Sequence, residues 1–138
     1  PGLVLEELQK SMGSTIRSEE ISDIIQFIML NRAPEDMRWH AAARDYLLWS
    51  VYKMVMGKVD KSRFVDSYRH GFKQWFETGM RQGLWNREMA SFYEPHIEEL
   101  SKLLDPERDR LLTYNGVRTL MSRYLLKRLD GTFFETPQ

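Results

Sequence analysis

The chain has 138 residues, 42% hydrophobic and 29% charged, enough for one domain with a core of its own. Its 20 basic and 20 acidic side chains cancel, which argues against a protein built to grip phosphate backbones. The absence of cysteine excludes a disulfide scaffold, a thiolate metal site and a cysteine nucleophile within these residues. No apolar run approaches the roughly 18 residues of a membrane span; the most apolar stretch, "YLLWSVYKMVMG", is interrupted by Ser50 and Lys53. No signal peptide is visible. The chain starts at Pro1 and stops just after a Pro-Gln pair, and both ends read as those of a piece of a longer protein.

In chain order, "LVLEELQKSMGS" predicts a short first helix closed by a Gly13-Ser14 loop. Ser18 offers an N-cap, with Glu19 and Glu20 near the positive helix end. Ile21, Ile24, Ile25, Ile28 and Met29 then recur at 0, 3, 4, 7, 8, one face of a helix. The pattern restarts at "NRAPEDMRWHAAARDYLLWSVYKMVMGK", with Pro34 in the first turn, Glu35 and Asp36 loading it and Gly57 closing the far end. Its main stripe is Met37, Ala41, Leu48, Tyr52 and Val55; Leu47, Trp49, Val51 and Met54 widen it, so this is the expected central helix.

"DKSRFVDSYRHGFKQWFETGMRQG" puts Phe64, Val65, Tyr68, Phe72, Trp75 and Phe76 on one face, with fraying expected at Gly79 and Gly83. "NREMASFY" is a short helical piece, Pro95 opens a helix with the stripe Ile97, Leu100, Leu103 and Leu104, and "DPERD" reads as a polar turn. A last helix carries Val117, Leu120, Met121, Tyr124 and Leu125. Asp130-Gly131 then predicts a type I′ hairpin turn between "LLKRL" and "TFFET", although Tyr124–Leu126 fit helix or strand. The expected fold is all-α, an irregular bundle of five to seven helices with a small C-terminal β-hairpin.

Chemistry-bearing patterns are scarce. His40, His70 and His96 fall on three different predicted helices with no metal-ligand spacing, and Glu-x-x-His is absent. The acidic pairs Glu6-Glu7, Glu19-Glu20 and Glu98-Glu99 read as solvated faces, since helical neighbours point about 100° apart. No glycine-rich phosphate loop occurs, and the aromatics of "FVDSYRHGFKQWF" sit at helical spacing that suits a core better than a base-stacking platform. One lopsided feature remains: Arg118, Arg123, Lys127 and Arg128, with no acid between Val117 and Leu129. It reads as a solvated face, partly balanced by the upstream "DPERD" and by Asp130, or as a weak anion or partner site. No catalytic, cofactor-binding or metal-binding residue is expected in this chain.

"LDPERDRLLTYNGVRTLMSRYLLKRLDGTFFETPQ" resembles the region just ahead of the catalytic barrel in ribonucleotide reductase large subunits. The family pattern runs Asp-x-x-Arg-Asp, an aromatic residue, a leucine, Arg-Tyr-Leu, a turn with glycine and Glu-x-Pro-Gln. Here those places hold Asp105, Arg108, Asp109, Tyr114, Leu120, Arg123-Tyr124-Leu125, Gly131 and Glu135-Thr136-Pro137-Gln138, with Gly116 at a place that is often small. Upstream, "AAARDYLLWSVYK" and "FKQWFETGMRQGLWNREM" are similar to family helices, with Trp85 standing where a tyrosine is expected. The likeness covers about Asn31–Gln138 and is densest from Asp105 onward.

The resemblance implies a non-catalytic all-α domain over residues 31–138, ending before the barrel, with residues 1–30 a helical segment that could be the remnant of a preceding region. The parent enzyme would reduce ribonucleotides to deoxyribonucleotides for DNA synthesis by radical chemistry, in the cytoplasm. Its radical would come from adenosylcobalamin or from a separate metal-radical subunit; its thiyl-radical cysteine, redox cysteine pair and barrel Asn and Glu lie after this region. No Lys-Arg-(Asp/Asn)-Gly motif of the family's ATP-cone occurs in Pro1–Arg32, so a cone is either absent or cut away. The implied partner is the parent's own barrel, with nucleotides bound by the parent and neither nucleic acid nor membrane involved. Arg123 is expected to pair with Asp109 or Glu135, and Tyr124 to seat the last helix on the hairpin. Apolar surface around Leu125, Leu129, Phe133 and Phe134 would favour self-association when uncovered. The alternative is a freestanding helical protein-binding or adaptor module without enzymatic activity.

Overall fold

A computed structural model describes residues 2–11 and 18–138. Seven α-helices, 75% helix overall and no strand make the described residues all-α. They are α1 (Gly2–Ser11), α2 (Ser18–Arg32), α3 (Arg38–Met56), α4 (Phe64–Arg81), α5 (Arg87–Tyr93), α6 (Ile97–Leu103) and α7 (Tyr114–Thr119). Short 3-10 turns precede α4 and α6 and span Pro106–Leu111, and α7 runs on into a π-helical turn, Leu120–Tyr124. The expected Gly13-Ser14 loop and the Ser18 and Glu19 side chains lie outside what is described.

The central helix is α3, packed against α2, α4 and α7. Ala43, Leu47, Leu48 and Tyr52 meet Tyr68 of α4 and Tyr114 and Val117 of α7 in the main core. The helix begins later than Pro34 predicts. Residues 33–35 form a turn after α2, and the Asp36 carboxylate accepts from the Arg38 backbone N–H at 2.9 Å. An acceptor at a helix start satisfies an amide with no partner inside the helix, so Asp36, not the proline, sets the boundary. Met37 is consequently outside α3 and exposed.

Gly79 does not mark fraying. It is buried within α4, and a methyl group there would overlap the Trp85 indole. Trp85 in turn donates from its indole N–H to the Phe76 carbonyl at 3.0 Å. The chain reaches that position through a Schellman turn: Gly83 donates to Met80 and Leu84 to Gly79, with Gly83 at φ 67°. Asn86 then caps α5 by accepting from the Glu88 and Met89 amides. Phe76, Ala90 and Ile97 anchor this second core, against Phe72, Trp75, Met80, Trp85 and Leu100.

The expected C-terminal β-hairpin does not form; a single antiparallel bridge joins Lys127 and Phe133. A type I′ turn needs positive φ at both central residues. Among the described residues no non-glycine has one, and only Gly131, at 84°, bends this loop that way. Phe133 and Phe134 are both buried, although neighbours on a strand point to opposite faces. The tail is therefore buried on two sides, which also removes the two phenylalanines from the apolar surface expected to be exposed there. Gly79→Ala should lower the unfolding free energy by about 1–3 kcal/mol through overpacking against Trp85; an unchanged urea midpoint would refute that packing.

Candidate functional site

The polar turn expected at "DPERD" is a 3-10 turn with Asp105, Glu107 and Arg108 exposed and Pro106 and Asp109 buried. Asp105 caps the 3-10 turn by accepting from the Glu107 amide at 3.1 Å, Pro106 is buried, and Asp109 is only 2% exposed. The Asp109 carboxylate accepts three hydrogen bonds: Oδ2 from the Tyr52 and Tyr68 hydroxyls, each at 2.8 Å, and Oδ1 from the Gln138 side-chain amide at 2.8 Å. Tyr52 comes from α3 and Tyr68 from α4, their rings packed edge-on at 5.7 Å. A carboxylate this deep must be hydrogen-bonded or paired, and here three donors hold it.

Gln138 completes the node. Its side-chain N–H also donates to the Asp105 carbonyl at 2.8 Å, and its backbone N–H to the Tyr68 hydroxyl at 3.3 Å. Glu135 accepts from the Trp75 indole N–H at 3.1 Å and from the Leu126 amide at 2.9 Å. Thr136 is buried and donates to the Gln138 carbonyl at 3.2 Å. The residues of the tail are thus stitched to α4, the 3-10 turn and the chain after the π-turn. Burial pushes the Tyr52 hydroxyl far above its ordinary pKa, and the Asp109 charge pushes it further. Tyr68 moves the same way, by burial first, with its contacts to Thr136 and to the Gln138 amide pulling back and Asp109 pushing up.

Beside the node, Trp49, Tyr52, Phe64, Lys61 and Arg110 line a cleft of about 370 Å³. Arg110 is bound to Asp45 at 3.2 Å and to Glu107 at 2.8 Å, and the Lys61 ammonium lies 5.8 Å from the Trp49 ring centre. Arg44 donates to the Arg110 carbonyl at 2.8 Å, lacing α3 to the 3-10 turn.

Several expected residues meet differently from their prediction. Asp105, Asp109, Glu135, Thr136 and Gln138 come together; Arg108, Arg123 and Tyr124 stay exposed. Arg123 makes no ion pair among the described residues, because tyrosine hydroxyls and Gln138 already fill Asp109. Tyr124 is 67% exposed, since the i→i+5 bond from the Leu125 amide to Leu120 widens the turn and carries the ring off the α7 face. His40 packs edge-on against Tyr114, His96 lies near Phe92, and Glu98 pairs with Lys73 at 2.9 Å. No three metal-binding side chains converge among the described residues. Tyr52 and Tyr68 were read only as core residues; nothing local in the sequence marks their hydroxyls as partners of Asp109.

No family model matches the chain. Two curated relatives do, the ribonucleoside-diphosphate reductase alpha subunits of Helicobacter pylori strains 26695 and J99, each 29% identical over 143 positions. Its relatives are ribonucleotide reductase alpha subunits. The similarity takes in 99% of this chain and 17% of each relative's length. The residues that carry the resemblance to reductase large subunits are, in good part, those that build the Asp109 node.

Asp109→Ala would leave two buried hydroxyls without an acceptor, so it should cost about 3 kcal/mol in urea unfolding, against about 1 kcal/mol for Tyr52→Phe; equal losses would refute the node's role. Both tyrosine pKa values are raised in the fold, so their stabilisation is complete below the unfolded value of about 10 and is lost as pH rises above it. Each should contribute a fall of about 1.4 kcal/mol per pH unit there, and Tyr52→Phe should make the alkaline slope shallower by that amount.

Proposed function

We propose that the chain is a non-catalytic helical domain of a ribonucleoside-diphosphate reductase alpha subunit, packing against the catalytic barrel that follows it. In this reading residues 31–138 are the reductase-like domain, and residues 1–30 precede it with α2 continuing across the boundary and packing on α3. The observation that carries it is the similarity running along 99% of the chain to subunits of which it spans 17%. The geometry supports the same reading. The buried carboxylate is filled by hydrogen bonds, and its contacts anchor the tail instead of facing a cavity as a base or nucleophile would.

The parent enzyme would convert ribonucleoside diphosphates to their deoxy forms for DNA synthesis in the cytoplasm. Its radical would be supplied by adenosylcobalamin or by a separate metal-radical subunit. In this reading neither group is held by residues of this chain. No reaction step is routed through these residues. Their task is mechanical, holding the end of the helical domain at a fixed place and direction.

The test is the product of the whole reading frame, assayed with a reductant and a radical source. That product is expected to reduce a ribonucleoside diphosphate, while residues 1–138 alone give no turnover. Turnover by residues 1–138, or a whole product without reductase activity, would overturn the reading.

A further inference from the structure

Between Val117 and Leu129 the chain carries Arg118, Arg123, Lys127 and Arg128 and no acid. Cations elsewhere are commonly matched: Arg32, Arg38, Arg44, Lys73, Lys102 and Arg110 each meet a carboxylate. Along this strip, among the described residues, the contacts are of another kind. Arg118 lies 6.0 Å from the Tyr114 ring centre, Lys127 5.3 Å from that of Phe133, and Arg128 donates to the Phe133 carbonyl. Tyr124, Leu126 and Leu129 are exposed between these cations, Leu129 completely. Adjoining them is a cleft of about 260 Å³ between α4 and the π-turn. Phe72, Trp75, Leu120 and Leu125 line it, together with Gln138 and with Glu135, whose carboxylate is already held by the Trp75 indole and the Leu126 amide.

We propose that this basic, apolar face seats an acidic, apolar surface of the same polypeptide, located beyond Gln138 in a chain of reductase length. The inference rests on the reading under Proposed function and names the surface through which that packing occurs. Three observations select the occupant. The relatives are about six times as long as the stretch they share with this chain, so most of their length lies outside it. Gln138 lines the cleft and is pinned by Asp109 and Asp105, so a continuing chain departs beside it. Arg128 has Asp130 near it, but Arg118, Arg123 and Lys127 form no ion pair among the described residues, which calls for acidic groups, and the exposed tyrosine and leucines call for apolar ones. Another group of exposed apolar residues, Leu84, Met89, Phe92 and Tyr93, has the acids Glu88 and Glu94 beside it in the sequence and lacks Gln138.

Hydrogen exchange on residues 1–138 and on the product of the whole reading frame tests this. The peptide over residues 120–129 should exchange at least about tenfold more slowly in the whole product. The variant Arg123→Glu should reduce that slowing and leave exchange over α3 in residues 1–138 unchanged, because the Arg123 side chain is exposed and makes no ion pair in the isolated fold. Equal exchange over residues 120–129 in both proteins, protection at residues 84–96 instead, or protection undiminished by the charge reversal would each overturn the assignment. Reductase activity in the whole product, with any of those results, would leave the domain reading standing and remove only this surface. A reading frame closing at Gln138 would remove both.

Discussion

The structure depends on one buried carboxylate. Taking an anion out of water costs several kcal/mol unless its lone pairs are met, and Asp109 forms no ion pair among the described residues. Two tyrosine hydroxyls and a glutamine amide meet it instead. Those donors come from α3, α4 and the last residue of the chain, so satisfying one side chain fixes three remote segments relative to each other. The rings that carry the hydroxyls are also main-core residues, which couples the polar node to apolar packing. Removing the carboxylate therefore strands donors that cannot turn to water.

A second constraint acts through the tail. Trp75 packs on Trp85 with ring centres 4.5 Å apart and donates to Glu135, while Phe134 stacks on Trp85 at 6.5 Å. Trp85 reaches that place only because position 79 has no side chain. The segment from Phe133 to Gln138 thus closes across both cores, touching the second through Trp75 and Trp85 and the first through Tyr68 and Asp109. The last residues are thereby held against both cores by hydrogen bonds and ring packing.

The helices were legible because their signals are local. The period of Ile21 to Met29 and the stop at Gly57 act within a few residues of the structure they produce. The start of α3 was misread because Pro34 is permitted at a helix start but does not compel one, and Asp36 supplied a better acceptor. The hairpin was misread for the opposite reason. Asp-Gly favours a turn, but an isolated pair of strands has little stability of its own, and burying both Phe133 and Phe134 outweighed regular pairing.

By itself the sequence determined an all-α domain without cysteine chemistry, and through its ordered motifs from Asp105 to Gln138 it pointed to the reductase family. Periodicity and capping suffice for the first; an ordered string of residues suffices for the second. Only the tertiary structure decided what those motif residues do. Whether Asp109 faces water or two tyrosines depends on how α3 and α4 cross, and that is set by the summed packing of residues far apart in the chain. The same packing left Arg123 and Tyr124 facing outward, where their local sequence suggested anchors.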